Sequence, residues 1–415
     1  MLGARASLAE QIDNPAGPIA GLAPPERARA QALAATSLRH LGRIDAVLAG
    51  LVERPPPLPV RNLLRLLVAD LNLAGTPAHA AVDSAVRLMR ERAKTRAMAG
   101  LVNAVGRRLA AGGAAMWEAA PEGGLPGWIA EPVRRAWGRE ALAGICAAHL
   151  AEPVPVDVTP KPGADLAELA GQAGALWLPT GSLRLARPGQ ISQAPGFAEG
   201  DWWVQDAAAA LPARLLGPVA GCDVLDLCAA PGGKTLQLAA AGARVTALDV
   251  SAARLQRVAE NLARTRLSAE IVAADALGWE PGRRFDAILV DAPCSATGTI
   301  RRHPDLPHIR RAGDLPGLVA LQARLMARAW DWLAPGGRLV FCTCSLLPAE
   351  GEEQIAAFRA AHPQARVVPP DAEALGIDPT WIDPAGGLRL RPDFWAERGG
   401  MDGFYAALLT KPGRV

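Results

Sequence analysis

From Gly221 onward the chain keeps one rhythm: a short apolar strand, a loop, a helix, and then another strand. The candidate strands are Asp223–Leu227, Arg244–Asp249, Glu270–Ala274, Asp286–Asp291, Arg338–Cys344 and Gly403–Thr410. Strands that are apolar at most positions are buried on both faces, and the helices between them supply the crossovers that parallel strands need. The rhythm therefore predicts an α/β fold, a doubly wound parallel sheet of the Rossmann type, over residues 199–415. In such a sheet ligands bind outside the carboxyl ends of the strands, so the residues that close each strand are the ones to read for chemistry.

The sequence ahead of this region has a different texture. Arg27–Val52 carries Leu33, Leu38, Leu41, Ile44, Val47, Leu48 and Leu51 at helical spacing, and Pro55-Pro56-Pro57 ends it. Helices over Val60–Leu73, Thr76–Met89 and Met98–Leu109 complete an all-α domain over residues 1–112, and the Gly- and Pro-punctuated stretch Gly112–Pro126 reads as a linker. Residues 127–198 read as a small α+β segment: a helix over Glu131–Leu150, a strand over Val154–Val158, a helix over Asp165–Ala173 and a strand over Leu176–Leu185. No apolar run approaches the roughly 18 uncharged residues of a membrane span, and the first residues do not read as a secretory signal. A cytoplasmic protein is expected. The net charge of +3 permits a nucleic-acid partner without demanding one.

The first strand runs into the loop Cys228-Ala229-Ala230-Pro231-Gly232-Gly233-Lys234. It is not a P-loop, because Cys228 stands six positions before Lys234 where that motif has glycine. The second strand closes on Asp249, about 20 residues past the loop, where a carboxylate can accept from both hydroxyls of a ribose. The third closes on Asp275, placed to read an adenine amino group. Acidic residues at successive strand ends suit S-adenosylmethionine, whose cationic sulfonium tolerates carboxylates that a pyrophosphate would not.

Six cysteines are too few and too scattered for a disulfide framework, and Cys342-Thr343-Cys344 lacks the spacing of a zinc site, so no metal is expected. Cys146, Cys222 and Cys342 read as structural. Cys294 and Cys344 differ, because each follows a strand end at the ligand edge, the first in Asp291-Ala-Pro-Cys294. Methylation at C5 of cytosine calls for this equipment. C5 is a poor nucleophile until a thiolate adds to C6, and a carboxylate near N3 stabilises the adduct. Arg301, Arg302 and His303 follow the Pro-Cys loop and read as phosphate contacts for RNA, whose target base must be unstacked to reach a thiol.

Together these motifs, with Val204-Gln-Asp-Ala207, Arg301-Arg-His-Pro-Asp305 and Asp402-Gly-Phe-Tyr405, resemble the bacterial Sun-type 16S rRNA cytosine-5 methyltransferases among the RNA m5C methyltransferases. Residues 1–112 are similar to a NusB-like helical domain through Arg43-Ile-Asp45, Ala78-His-Ala-Ala-Val82 and Gly100-Leu-Val-Asn-Ala-Val105, with a first helix abbreviated by Pro15, Pro18, Pro24 and Pro25. The resemblance implies that Cys228, Ala229, Ala230, Pro231, Gly232, Gly233 and Lys234 line an S-adenosylmethionine site with Asp249, Asp275 and Asp291. It implies Cys344 as nucleophile and Cys294 as the assistant to product release, with Asp291 as the third catalytic group and Lys234 acting through the loop backbone. The partner implied is small-subunit rRNA, bound by a monomer that needs neither membrane nor metal. A tRNA substrate, or a non-catalytic RNA-binding or antitermination role, stays open at this point.

Overall fold

The computed structural model describes residues 6–14, 16–186 and 189–413, which leaves Pro15 outside. It divides into two compact units, one running through Gly127 together with His303–Arg310, the other Trp128–Arg302 together with Arg311 onward. The small α+β segment and the strand-rich region, expected as separate domains, thus lie in one unit.

The first unit is all helical. Its short opening helix Leu8–Asp13 is held by a capping box in which Ser7 Oγ accepts from Glu10 N and Glu10 returns to Ser7 N. The helix expected over Arg27–Val52 is two, Pro24–Arg39 and Leu41–Ala49, broken at His40. The apolar period runs through the break, so periodicity could not see it. The last helix, Ala99–Ala119, continues ten residues past the expected stop at Leu109. Gly112 and Gly113 lower helix propensity, but Trp117 is 7% exposed, with the Arg43 guanidinium stacked 4.5 Å from its ring and Arg43 Nε donating to its carbonyl. Tertiary packing outweighs the glycines. Ile44, Leu64, Val68 and Val102 form the core of the unit.

The second unit opens on the helical stretch Gly127–Leu150, interrupted at Gly138, where φ is 86°. Next comes a four-stranded antiparallel sheet of β1 (Val156–Pro160), β2 (Ala175–Trp177), β3 (Leu183–Leu185) and β4 (Trp202–Val204), in the order β2-β3-β1-β4. The single strand expected over Leu176–Leu185 is the hairpin β2–β3, turned at Gly181 with φ 80°. The edge strand β4 extends this sheet beyond the boundary expected at residue 199.

The main sheet holds β5 (Asp223–Leu227), β6 (Arg244–Asp249), β7 (Glu270–Ala273), β8 (Phe285–Asp291), β9 (Leu333–Thr343), β10 (Arg366–Val368), β11 (Leu388–Leu390) and β12 (Phe404–Thr410). Its order is β10-β12-β9-β8-β5-β6-β7, with β11 also on β12. Strands β5 to β9 are parallel as expected. Strands β10, β11 and β12 pair antiparallel, so the sheet is mixed and not wholly parallel. Direction is set by the connection that returns the chain, which an apolar run does not record.

Alternate residues of each strand serve opposite faces. Leu225, Ile288, Leu339 and Phe341 pack with the helices Leu315–Trp332 and Glu352–Ala361, while Val224, Leu289, Val340 and Cys342 pack with the helix Ala207–Leu215. From β5 the chain steps outward to β6 and β7, then returns to start β8 on the other side of β5. The order therefore reverses between β5 and β8, and the crevice beyond their carboxyl ends is the favoured ligand position of an open α/β sheet. Among the described residues no helix is long and apolar enough to cross a membrane.

Candidate active site

The loop that leaves β5 is shaped by two residues at positive φ, Cys228 at 65° and Gly232 at 106°. Ala229 N donates to Leu248 O (3.0 Å) and Ala230 N to Asp249 Oδ2 (3.2 Å), so the loop is tied to the end of β6. Asp249 is buried, and its other oxygen accepts from Ser251 N at 2.9 Å. A side chain at Gly232 would press on Val258, 3.2 Å from its Cβ position, at a φ that L-residues seldom adopt. Beneath the loop Asp226 is fully buried; Thr235 Oγ1 donates to its Oδ2 at 2.6 Å, while Oδ1 has no hydrogen-bond partner. Burial pushes the Asp226 carboxyl up to about 7 and raises the Cys228 thiol. Asp275, past the end of β7, is exposed, and its Oδ1 accepts from Leu277 N. A glycine cradle with acidic groups at three strand ends fits a cationic adenosyl donor.

Asp291 closes β8 with its side chain 30% exposed. Lys234 Nζ donates to Asp291 Oδ2 at 2.7 Å and lies 5.1 Å from the centre of the Phe404 ring. Burial opposes the charge on Lys234, but Asp291 outweighs it and holds the ammonium protonated, its pKa raised. The reading that gave Lys234 a backbone role missed this contact, because a side chain reaching from one βα loop to the next strand end leaves no sequence period.

The two singled-out cysteines meet. In the β8–β9 register Asp291 faces Cys342, so the segments carrying Cys294 and Cys344 leave adjacent strands at the same edge, and their Sγ atoms stand 3.4 Å apart. Gly298 N donates to Cys344 O (2.9 Å) and Gly403 N to Gly298 O (2.8 Å), which pins both loops through the main chain. The Cys294 thiol is pushed up by its hydrogen bond to Cys344 and by burial. Cys342 is buried as expected, though its Sγ reaches Asp291 Oδ1 at 3.5 Å.

The expected RNA contacts separate. Arg301 is 3% exposed: its Nη2 pairs with Asp206, its Nε with Asp402 Oδ1 (3.1 Å) and its Nη1 donates to Gly399 O (3.0 Å). A guanidinium so enclosed holds the fold and cannot meet a phosphate, which corrects the expectation for Arg301. Arg302 pairs with Asp402 through one edge, and its side chain is 35% exposed. It lines a cleft of about 380 Å³ together with Lys234, Asp291, Trp203, Val204 and Arg257. His303 is half-buried and opens the segment that belongs to the helical unit.

Comparison with known proteins identifies the family. Residues 213–410 match the family described as 16S rRNA methyltransferase RsmB/F, and residues 4–111 match the NusB family. The ribosomal RNA small subunit methyltransferase B of Xanthomonas campestris pv. campestris is 38% identical over 406 residues, covering 94% of this chain and 90% of that protein. Its counterpart in Pseudomonas putida is 39% identical over 407 residues, covering 93% and 91%. In fold, the solved structure of PH0851 is similar with a TM-score of 0.74 at 24% identity, covering 94% of this chain and 92% of that one. With two thiols in contact at the switch-point edge and relatives of this identity along nearly its whole length, the chain belongs to the RsmB/F family of 16S rRNA methyltransferases, with a NusB-family helical region ahead of the catalytic one.

Proposed function

We propose that the protein makes 5-methylcytosine in small-subunit rRNA, acting in the cytoplasm as a monomer, with Cys344 as nucleophile. The observation that carries this reading is the pair of thiols 3.4 Å apart, on the sheet edge that also bears the Lys234–Asp291 pair. The loop Cys228–Lys234 with Asp249, Asp275 and Asp291 would hold S-adenosylmethionine, which supplies an electrophilic methyl group. The thiolate of Cys344 forms a bond from Sγ to C6 of the cytosine, and the C5–C6 π pair moves towards C5. Asp291 accepts from the proton that N3 takes up from solvent as the ring is attacked, while the Lys234 ammonium offsets the negative charge that addition places on the ring. Once C5 carries the methyl group, a water molecule acting as base takes its proton, and that electron pair forms the C5–C6 double bond as the C6–Sγ bond breaks with its pair on the Cys344 sulfur, where the Cys294 thiol stands to donate. Arg302, its guanidinium oriented by Asp402 beside the cleft, would take a phosphate next to the target base, as would His303.

Transfer of labelled methyl groups to 16S rRNA, run beside tRNA, tests the substrate and the reaction. Label on rRNA cytosine C5 that disappears in Cys344→Ala is the expected result. Label on tRNA alone would move the substrate, and label on neither would refute the reading.

A further inference from the structure

The two thiols sit on separate loops, and a hydrogen bond between sulfurs is too weak to hold those loops in register. The main chain ties them at Gly298, and a cluster of side chains completes the alignment at the thiols themselves. Behind the pair lies Glu350, on a short turn after β9, with no exposed surface. Its Oε1 accepts from Ser295 N (2.9 Å) and from Gln322 Nε2 (3.0 Å). Its Oε2 accepts from Ser295 Oγ (2.5 Å) and Ser345 Oγ (2.6 Å). Ser295 follows Cys294 and Ser345 follows Cys344, so one carboxylate grips the residue after each thiol. The residues before the thiols are held by the Glu350 main chain and by Gln322: Thr343 Oγ1 donates to the Glu350 main-chain carbonyl (2.9 Å), and Gln322 Nε2 also donates to Pro293 O (2.9 Å). Gln354 Nε2 donates to Gln322 Oε1 (2.9 Å) and so fixes which end of Gln322 faces Glu350. Thr297 Oγ1 closes the set, 3.2 Å from both serine hydroxyls and accepting from Leu346 N.

We propose that Glu350 is the positioning residue of the two-cysteine centre, a buried carboxylate whose four hydrogen bonds clamp the Pro-Cys and Thr-Cys loops and set the Sγ–Sγ approach at 3.4 Å. Its donors are a backbone amide, a side-chain amide and two hydroxyls. A carboxylate taken out of water needs its lone pairs filled, and here filling them requires both loops to be in place at once. Its charge also reaches Cys294, where it adds to the effects that keep that thiol protonated while Cys344 reacts. The inference rests on the two-thiol reading above and assigns the residue that makes the pair a working geometry.

The test compares wild type, Glu350→Gln and Ser345→Ala in the whole protein. Glu350→Gln keeps the shape but offers an amide NH2 where hydroxyls donate. Ser345→Ala cuts the Cys344 side of the clamp and keeps the charge. Three readouts are taken: affinity for S-adenosylmethionine, kcat and KM for methyl transfer to rRNA, and the rate of a denaturant-stable adduct with RNA carrying 5-fluorocytosine, which blocks elimination. The expected result is adduct formation and kcat down at least tenfold in both variants, with KM and donor affinity within twofold of wild type. Wild-type kcat and adduct rates in both variants would overturn the role. So would a loss shared equally by donor affinity, KM and thermal stability, which marks a general structural defect. If Glu350→Gln fails to fold, Ser345→Ala decides by the same criteria. No adduct with wild type refutes the two-thiol reading itself, and the role of Glu350 falls with it.

Discussion

Arg301 offers a sharp test, because its sequence neighbourhood reads as an RNA contact and its surroundings say otherwise. Replacing it with alanine leaves Asp206 and Asp402 buried without the guanidinium that joins them. Both carboxylates have fully buried side chains, so water cannot compensate cheaply. Removing one partner of such a network costs about 3–5 kcal/mol. For a unit larger than 200 residues a kilocalorie shifts the midpoint by only about 2 °C, so the melting temperature should fall by roughly 6–10 °C. The sign of the pH dependence follows from Asp206. Burial pushes its carboxyl up, but Arg301 and Arg302 more than offset this and bring it to about 2. A carboxyl depressed in the fold stabilises at pH values above its unfolded pKa of about 3.9, and that contribution is lost as pH falls towards 2. The gap between wild type and Arg301→Ala should therefore be widest near pH 7 and shrink below pH 4. Thermal unfolding across pH gives the stability arm, and RNA affinity measured well below the midpoint gives the binding arm. RNA affinity within twofold of wild type is expected. A melting temperature unchanged within 2 °C, with RNA affinity down tenfold, would refute the reasoning and return Arg301 to the RNA surface.

Three further outcomes follow from single contacts. Gly298→Ala would place its Cβ 1.9 Å from Gly403 O, so the Pro-Cys loop must move; about 1–3 kcal/mol of stability and most methyl transfer should be lost, read by unfolding and by activity. Lys234→Met keeps the stem but removes the ammonium from Asp291, and should lower kcat at least tenfold with donor affinity little changed, whereas a backbone-only role predicts wild-type turnover. Asp226, raised to about 7, binds a proton in the fold that the unfolded chain has released, so it lowers stability as pH climbs from about 4 to 7. Asp226→Asn should then be more stable than wild type at pH 8 by up to about 4 kcal/mol and equal to it near pH 3, as chemical denaturation at the two pH values will show.

The sequence carried most of the strands and the identity of the reacting groups, for definite reasons. Strands β5 to β9 are apolar runs closed by polar residues, and Asp291, Cys294 and Cys344 stood out because each sits at such a closure. Strands β4, β10 and β11 and the hairpin β2–β3 escaped, since three-residue strands are too short to show a period of two. The mixed direction of the sheet escaped because pairing direction belongs to connections. Among side chains, Arg301 and Arg302 look alike in sequence, and the first is turned inward by Asp206, 95 residues upstream, with Asp402 and the Gly399 carbonyl about 100 residues downstream. Glu350 left no signal either. An acid on a short turn, with Glu352 and Glu353 close behind, usually faces solvent, and the four donors that bury it come from three separate stretches of chain.

The central claim is that Cys344 bonds to C6 and Cys294 lets the product go. The most direct measurement is a denaturing gel of protein with labelled rRNA and S-adenosylmethionine, for wild type, Cys294→Ala, Cys344→Ala and the double variant. A band of protein joined to RNA should accumulate in Cys294→Ala, stay faint in wild type that turns over, and be absent from Cys344→Ala and from the double variant. An adduct that builds up in Cys344→Ala and vanishes in Cys294→Ala would reverse the two roles and contradict the account.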